Sequence, residues 1–214
     1  MIIRYLFDGI NCPIKINVVN KLNQPIYIDW SKSAVIINGQ RLSYWSDVAI
    51  INTLTRSAEI KWTEDISTTR GFTSGIIVKN ERVSFIPPKS GIVYSPMNLV
   101  SNWMELPDAS DFKKIDVPTE IGILKGYFYN YERKDSPLEF RSFLTISPNE
   151  QFTNPTYFDN VFWVNEVLET QAKPAELLNT FSNNFHTKKL TGFGGFLTGI
   201  EGGILILLVI INNL

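Results

Sequence analysis

Apolar and polar side chains alternate residue by residue in Pro13-Ile14-Lys15-Ile16-Asn17-Val18, and the same beat returns along most of the chain. Ile14, Ile16 and Val18 share one face, with Lys15 and Asn17 opposite. From Pro25 to Trp30, Ile26, Ile28 and Trp30 share a face, with Tyr27 and Asp29 on the other. An extended strand sends successive side chains to opposite sides, so this pattern builds sheets with one buried face. The polar stretch Asn20-Lys21-Leu22-Asn23-Gln24 between the two runs suits a hairpin loop.

Turn signals divide the beat into short strands. Asn38-Gly39 lies between Ala34-Val35-Ile36-Ile37 and Gln40-Arg41-Leu42-Ser43-Tyr44-Trp45. Both central residues tolerate positive φ, which makes the pair a type I′ hairpin turn. Further strands are expected at Ala58 to Trp62, Gly75 to Lys79, Arg82 to Ile86 and Gly91 to Tyr94. Pro87-Pro88 closes the third, because neither proline can donate to a ladder. Asn98 to Val117, with Pro107 and no sustained period, reads as a long loop or crossover. Gly126 to Tyr131 then places Tyr127, Tyr129 and Tyr131 on one face. Leu138, Phe140, Leu144 and Ile146 alternate with Glu139, Arg141 and Thr145. Val161 to Val167 is apolar on both faces at first, as a central strand is. The one helix candidate is Pro174 to Phe181, with Pro174 in its first turn and Leu177, Leu178 and Phe181 as its stripe. Strands without intervening amphipathic helices predict an all-β sandwich rather than an α/β fold.

The composition suits this. Hydrophobic residues make up 44% and charged residues 19% of 214, which is globular rather than disordered. Lys plus Arg is 20 and Asp plus Glu is 21, so no basic excess draws the chain to nucleic acid. Three segments are expected: a sandwich over 1–172, a short helix and polar linker over 173–189, and an apolar segment over 190–214.

The last segment carries two readings. Gly192 to Ile211 holds roughly twenty residues with one charge, Glu201, which is long enough for a membrane helix. Gly195, Gly199 and Gly203 stand four apart and form a small-residue face for helix packing. A carboxylate near mid-bilayer opposes insertion by about 2.5–3.5 kcal/mol, and the aliphatic run after it offsets that cost. If the segment spans, Lys188 and Lys189 put its N-terminal flank on the cytoplasmic side, giving a tail-anchored, membrane-associated protein. Otherwise Ile204 to Ile211, rich in β-branched residues, is a buried strand. Met1 to Asn11 shows no apolar run of signal-peptide length.

Little chemistry is visible. His186 is the single histidine and lies in the polar linker; a Ser-His-Asp or Cys-His arrangement would have to use it. Cys12 is the single cysteine and reads as a small buried hydrophobe. No histidine pair or cysteine cluster suggests a metal, and no phosphate-binding glycine loop suggests a nucleotide, so no cofactor is expected. The carboxylates Asp29, Asp47, Asp65 and Glu132 are scattered, which weighs against a glycan hydrolase built on an acid pair. Asp29 reads as a turn cap or a solvated strand residue. Trp30, Trp45, Trp62 and Trp163 read as core. Tyr127, Tyr129 and Tyr131 are candidates for an exposed face that takes a glycan or a peptide.

Several pieces occur in order between about Ile14 and Val167: Asn20-Lys21-x-x-x-Pro25-Ile26-Tyr27-Ile28-Asp29-Trp30-x-x-Ser33, Leu42-Ser43-Tyr44-Trp45, Ile86-Pro87-Pro88-Lys89-Ser90, Ser136-Pro137-Leu138-x-Phe140-Arg141-x-Phe143-Leu144 and Phe158-Asp159-Asn160. Together they resemble a family of uncharacterised Bacteroidota-type proteins. The resemblance implies an immunoglobulin-like antiparallel sandwich and carries no activity. The resemblance also implies that such proteins often have a longer N-terminus with an export signal. The functional expectation is a non-enzymatic, membrane-tethered sandwich that presents a surface to a protein or envelope partner. The alternative is a soluble accessory or inhibitor-like sandwich with the tail packed as its final strand.

Overall fold

A computed structural model describes residues 1–47, 50–61, 67–78, 80–101, 112–177, 183–190 and 203–213. Its strands are β1 (Ile2–Leu6), β2 (Gly9–Ile10), β3 (Pro13–Val19), β4 (Ile26–Asp29), β5 (Ala34–Ile37), β6 (Gln40–Ser43), β7 (Ile50–Lys61) and β8 (Ser67–Val78). They continue with β9 (Val83–Ile86), β10 (Gly91–Asn98), β11 (Phe112–Thr119), β12 (Gly122–Asn130), β13 (Glu139–Ser147), β14 (Thr156–Thr170), β15 (Asn184–Leu190) and β16 (Gly203–Asn213). The fold is all-β, with nearly all pairing antiparallel, as the alternating sequence requires.

One layer is a three-stranded sheet with β3 between β1 and β10. Tyr5 stands opposite Ile16, and Ile92 opposite Val18. The other layer is a larger, forked sheet with β14 as its spine. β16 follows one edge of β14, from Val161 opposite Asn213 to Thr170 opposite Leu205. Along the other edge β13 pairs with Thr156–Trp163, and β12 pairs with Glu166–Thr170. The fork falls at Asn165. There the β14–β16 register slips between Val164 and Glu166, and the Asn165 carbonyl accepts the Tyr131 N–H at 2.7 Å. An extra residue in one strand bends it, and here the bend hands β14 from one neighbour to the next. β13 forks as well, with β5 beside Phe140–Phe143 and β4 beside Ile146–Ser147. β6 and β9 lie outside β5 and β4. β15 lies outside β16, and β2 runs parallel to it at Phe185 and His186. β7 and β8 pair with each other from Ile50 opposite Val78 to Lys61 opposite Ser67.

The core forms where the predicted apolar faces meet. Ile14, Ile16 and Val18 are fully buried with Ile26, Ile28, Leu144 and Ile146. Phe7 packs edge-on against Phe140 at 5.4 Å and Phe162 at 5.2 Å, and Tyr5 meets Phe162 at 4.9 Å. Burying each such side chain contributes about 1.5–3 kcal/mol. A hydroxyl chain threads this core. Tyr44 donates to Ser142 Oγ at 2.8 Å, Ser142 donates to the Tyr5 hydroxyl at 3.1 Å, and Tyr5 donates to Asn160 Oδ1 at 3.4 Å. Each hydroxyl of this chain therefore has a partner, which avoids the penalty of an unsatisfied polar group. Cys12 is buried in the same core, and burial pushes its thiol pKa up. The Asn38-Gly39 hairpin is present, with φ of 51° and 75°.

Six expectations are corrected. Asn20 to Gln24 is a crossover between the two sheets rather than a hairpin loop, because β3 pairs with β1 and β10 while β4 pairs with β13 and β9. Trp30 leaves the strand and begins a single 3-10 turn, Trp30–Lys32, yet stays buried and stacks on Tyr94 at 4.1 Å. The stretch expected as a loop up to Val117 contains β11, whose alternation is short and weighted with lysine. Pro174 opens only a 3-10 turn, Pro174–Glu176, because Leu177 turns to bridge Thr119; Leu178 and Phe181 lie outside the described residues. The expected linker contains β15, so His186 sits in a strand, and its carbonyl accepts the Asn11 N–H at 2.9 Å. The expected C-terminal membrane helix is replaced, over Gly203–Asn213, by β16, paired on both edges. Five of the eight residues from Ile204 to Ile211 are β-branched, and a strand between two partners reads as a continuous apolar run, the pattern a membrane helix also shows. No helix among the described residues is long and apolar enough to cross a membrane.

Candidate interaction surface

Strands β11 and β12 form a hairpin that pairs along its full length, from Phe112 opposite Tyr129 to Thr119 opposite Gly122. Alternation gives it two unlike faces. One face carries Ile115, Val117 and Phe128, which pack with Leu168 of β14 and with Leu177 into a second, smaller core. Gly126 makes this close approach possible. A Cβ there would stand 2.8 Å from Val117 Cγ2 and 3.1 Å from both the Glu169 carbonyl oxygen and Leu168 Cδ1.

The other face carries the tyrosine stripe. Tyr131 is buried, at 7% exposure, and belongs to the main core. Tyr129 is half-buried against that core and stacks on Tyr131, with ring centroids 6.4 Å apart. Tyr127 is 40% exposed, and Phe112 beside it is 53% exposed. Phe112 meets Tyr127 edge-on at 5.6 Å and Tyr129 at 6.0 Å. The rings thus run without a break from the core out to solvent. The structure therefore brings the three predicted tyrosines onto one face, and only Tyr127 and part of Tyr129 are presented.

Charged groups frame the rings. Tyr129 donates to Glu169 Oε2 at 3.1 Å. Burial, followed by the Glu169 charge, pushes the Tyr129 phenol up to about 12. The Lys114 ammonium sits 5.8 Å from the centre of the Tyr127 ring, and Asp116 pairs with Lys125 one row further out. At the tip, Ile121 and Ile123 are 72% and 70% exposed. Sequence reasoning missed Phe112, Lys114 and Glu169. The signal for the first two was the two-residue period of Ile115 and Val117, with Phe112, Lys114 and Asp116 opposite.

No family model, curated protein or solved structure matches the chain.

The other candidate residues are dispersed. Asp29 is buried and caps the Trp30–Lys32 turn, accepting from the Ser31 and Lys32 N–H groups, with Arg82 at 3.5 Å. Glu132 is exposed and pairs with Lys134 at 3.1 Å. Asp47 is exposed, and Asp65 lies outside the described residues. Trp45 and Trp163 are half-buried, whereas Trp62 lies outside the described residues. Gly203 opens β16 opposite Leu190, while Gly195 and Gly199 lie outside the described residues. Among the described residues no group of three or more His, Cys, Asp and Glu could hold a metal ion. A second set of aromatics lies on the outer face of the forked sheet, with Tyr27 beside Phe85 at 5.3 Å and Phe143 stacked on Tyr157 at 5.5 Å.

Proposed function

We propose that this chain is a non-enzymatic β-sandwich that presents an interaction surface, and that the surface is the exposed tyrosine face of the β11–β12 hairpin. The observation that carries this is the ring series from buried Tyr131 to exposed Tyr127 and Phe112. Its inner rings are locked by the core, so the outer ones are held in place before a partner arrives, which lowers the entropy cost of binding. Aromatic residues on a rigid frame with a charged rim are the usual make-up of an interface core. A two-layer antiparallel frame with loops and hairpins at its ends is how immunoglobulin-like domains present such surfaces. The pairing of β16 favours the reading in which the tail belongs to the sheet and the partner, a protein or an envelope component, is met by the hairpin.

Hydroxyl-radical footprinting with and without a cell-envelope extract tests this. Tyr157, 58% exposed on the outer face, is the internal control. The expected result is protection of Phe112 and Tyr127 with Tyr157 unchanged. Protection of Tyr157 alone, or of neither region, would contradict the proposal.

A further inference from the structure

Resting on that reading, we infer that the hairpin face takes a neutral glycan, with sugar rings stacked on Phe112 and Tyr127 and their hydroxyls bonded by Glu169 and Lys114. A pyranose offers an apolar C–H face and a rim of hydroxyl groups. It needs a flat ring beneath and hydrogen-bonding groups at the edge. Here Phe112 and Tyr127 lie on one pleated face with ring centres 5.6 Å apart and planes at 66°, so each ring serves its own sugar unit. Glu169, whose carboxylate accepts from Tyr129, stands opposite Tyr127, and the Lys114 ammonium is 5.8 Å from the Tyr127 ring centre. A carboxylate accepts from neighbouring hydroxyls, and an ammonium donates to them. Outward from the rings comes the Asp116–Lys125 pair, and beyond it Pro118 stands opposite exposed Ile123 at the tip.

Charge selects the class of ligand. The face holds the ammonium groups of Lys114 and Lys125 and the carboxylates of Asp116 and Glu169, in equal number, with Asp116 and Lys125 paired to each other. It has no net field to draw an anionic lipid or a nucleic acid, whose binding rests on a basic excess. The edge of the hairpin also argues against an extended peptide added as a further strand. β11 contains Pro118, which has no N–H to offer, and Lys113 and Lys114, the residues that natural edge strands use to refuse pairing.

The full chain would be run by affinity electrophoresis through native gels containing laminarin, xylan or galactomannan, with heparin as the anionic comparison. Retardation by at least one neutral polysaccharide is expected, together with none by heparin. Phe112→Ala and Tyr127→Ala should each weaken the interaction at least tenfold, Glu169→Gln should weaken it less, and Tyr157→Ala should leave it unchanged. Retardation by heparin alone would overturn the inference. So would neutral binding that survives Phe112→Ala and Tyr127→Ala. If no neutral polysaccharide retards the chain but an envelope extract still protects Tyr127 from footprinting, the glycan is wrong and the interaction surface stands. If neither occurs, both fall.

Discussion

Phe162 and Tyr129 lie on or beside the same strand, β14, on either side of its fork at Asn165, and their surroundings differ. Phe162 is enclosed by Tyr5, Phe7 and Phe140, rings contributed by both sheets. Tyr129 is enclosed on one side only, by Tyr131, and on the other meets Phe112 at the surface. Both regions are rich in aromatic side chains on alternating strands. What separates them is that a ring of the three-stranded sheet, Tyr5, meets Phe162, whereas the rings beside Tyr129 come from the hairpin and its flank. Around Phe162 the rings contribute stability. Around Tyr127 the same chemistry is left facing water, where it does little for the fold and is open to a partner.

That contrast is testable by substitution, beginning at the closed end. Phe162→Ala should lower unfolding free energy by about 3–5 kcal/mol, read from urea denaturation, because it leaves a cavity among three rings. A loss under about 1 kcal/mol would mean that the two sheets do not pack there. Gly126→Val attacks the join between the regions. A side chain at that position meets Val117 and the β14 backbone, so a loss of about 1–3 kcal/mol is expected, along with looser protection of the hairpin. Asp29→Ala removes the cap of the Trp30–Lys32 turn and should cost about 1–2 kcal/mol.

Alkaline pH sharpens the comparison through Tyr5. Burial pushes its phenol up to about 12, whereas an unfolded tyrosine ionises near 10. A folded-state pKa above the unfolded one contributes stability that is complete below about pH 10 and is lost as pH rises through about 12. The urea midpoint should therefore fall over that window. Tyr5→Phe, which keeps the ring and removes the titrating group, should make the fall shallower. An unchanged slope would place the Tyr5 hydroxyl in water. The smallest expected effect belongs to the open end: Phe112→Ala with Tyr127→Ala should change stability by about 0.5 kcal/mol or less, since both rings already face solvent.

The closed end was largely legible in the sequence. The alternation in Ile14 to Val18 gave a buried face, Asn38-Gly39 gave the hairpin turn, and Val161 to Val167 gave a central strand. Each rests on a local rule that the tertiary structure obeys. The open end was half legible. Three tyrosines in alternation gave the face, but how deep each one sits depends on how far the opposite sheet extends, which no local pattern encodes. Phe112 and Lys114 were hidden because the lysines of β11 dilute its period. Glu169 became relevant only through the pairing of β12 with β14, some forty residues apart in sequence. The tail left two readings open, a membrane helix and a buried strand, for a different reason. An unbroken apolar run has no periodicity to tell part of a membrane helix from a doubly paired strand, and only the presence of partners on both edges separates them.

β16 runs beside β14 on both sides of the fork, so it joins the closed core to the open face. Amide hydrogen exchange of the full chain in detergent-free buffer tests that directly. Amides of Leu205–Asn213 should be protected in step with those of Val161–Thr170, on both sides of Asn165. Exchange of the 205–213 amides at the rate of an unstructured chain, while Thr156–Val164 stays protected, would contradict it and separate the tail from the sheet.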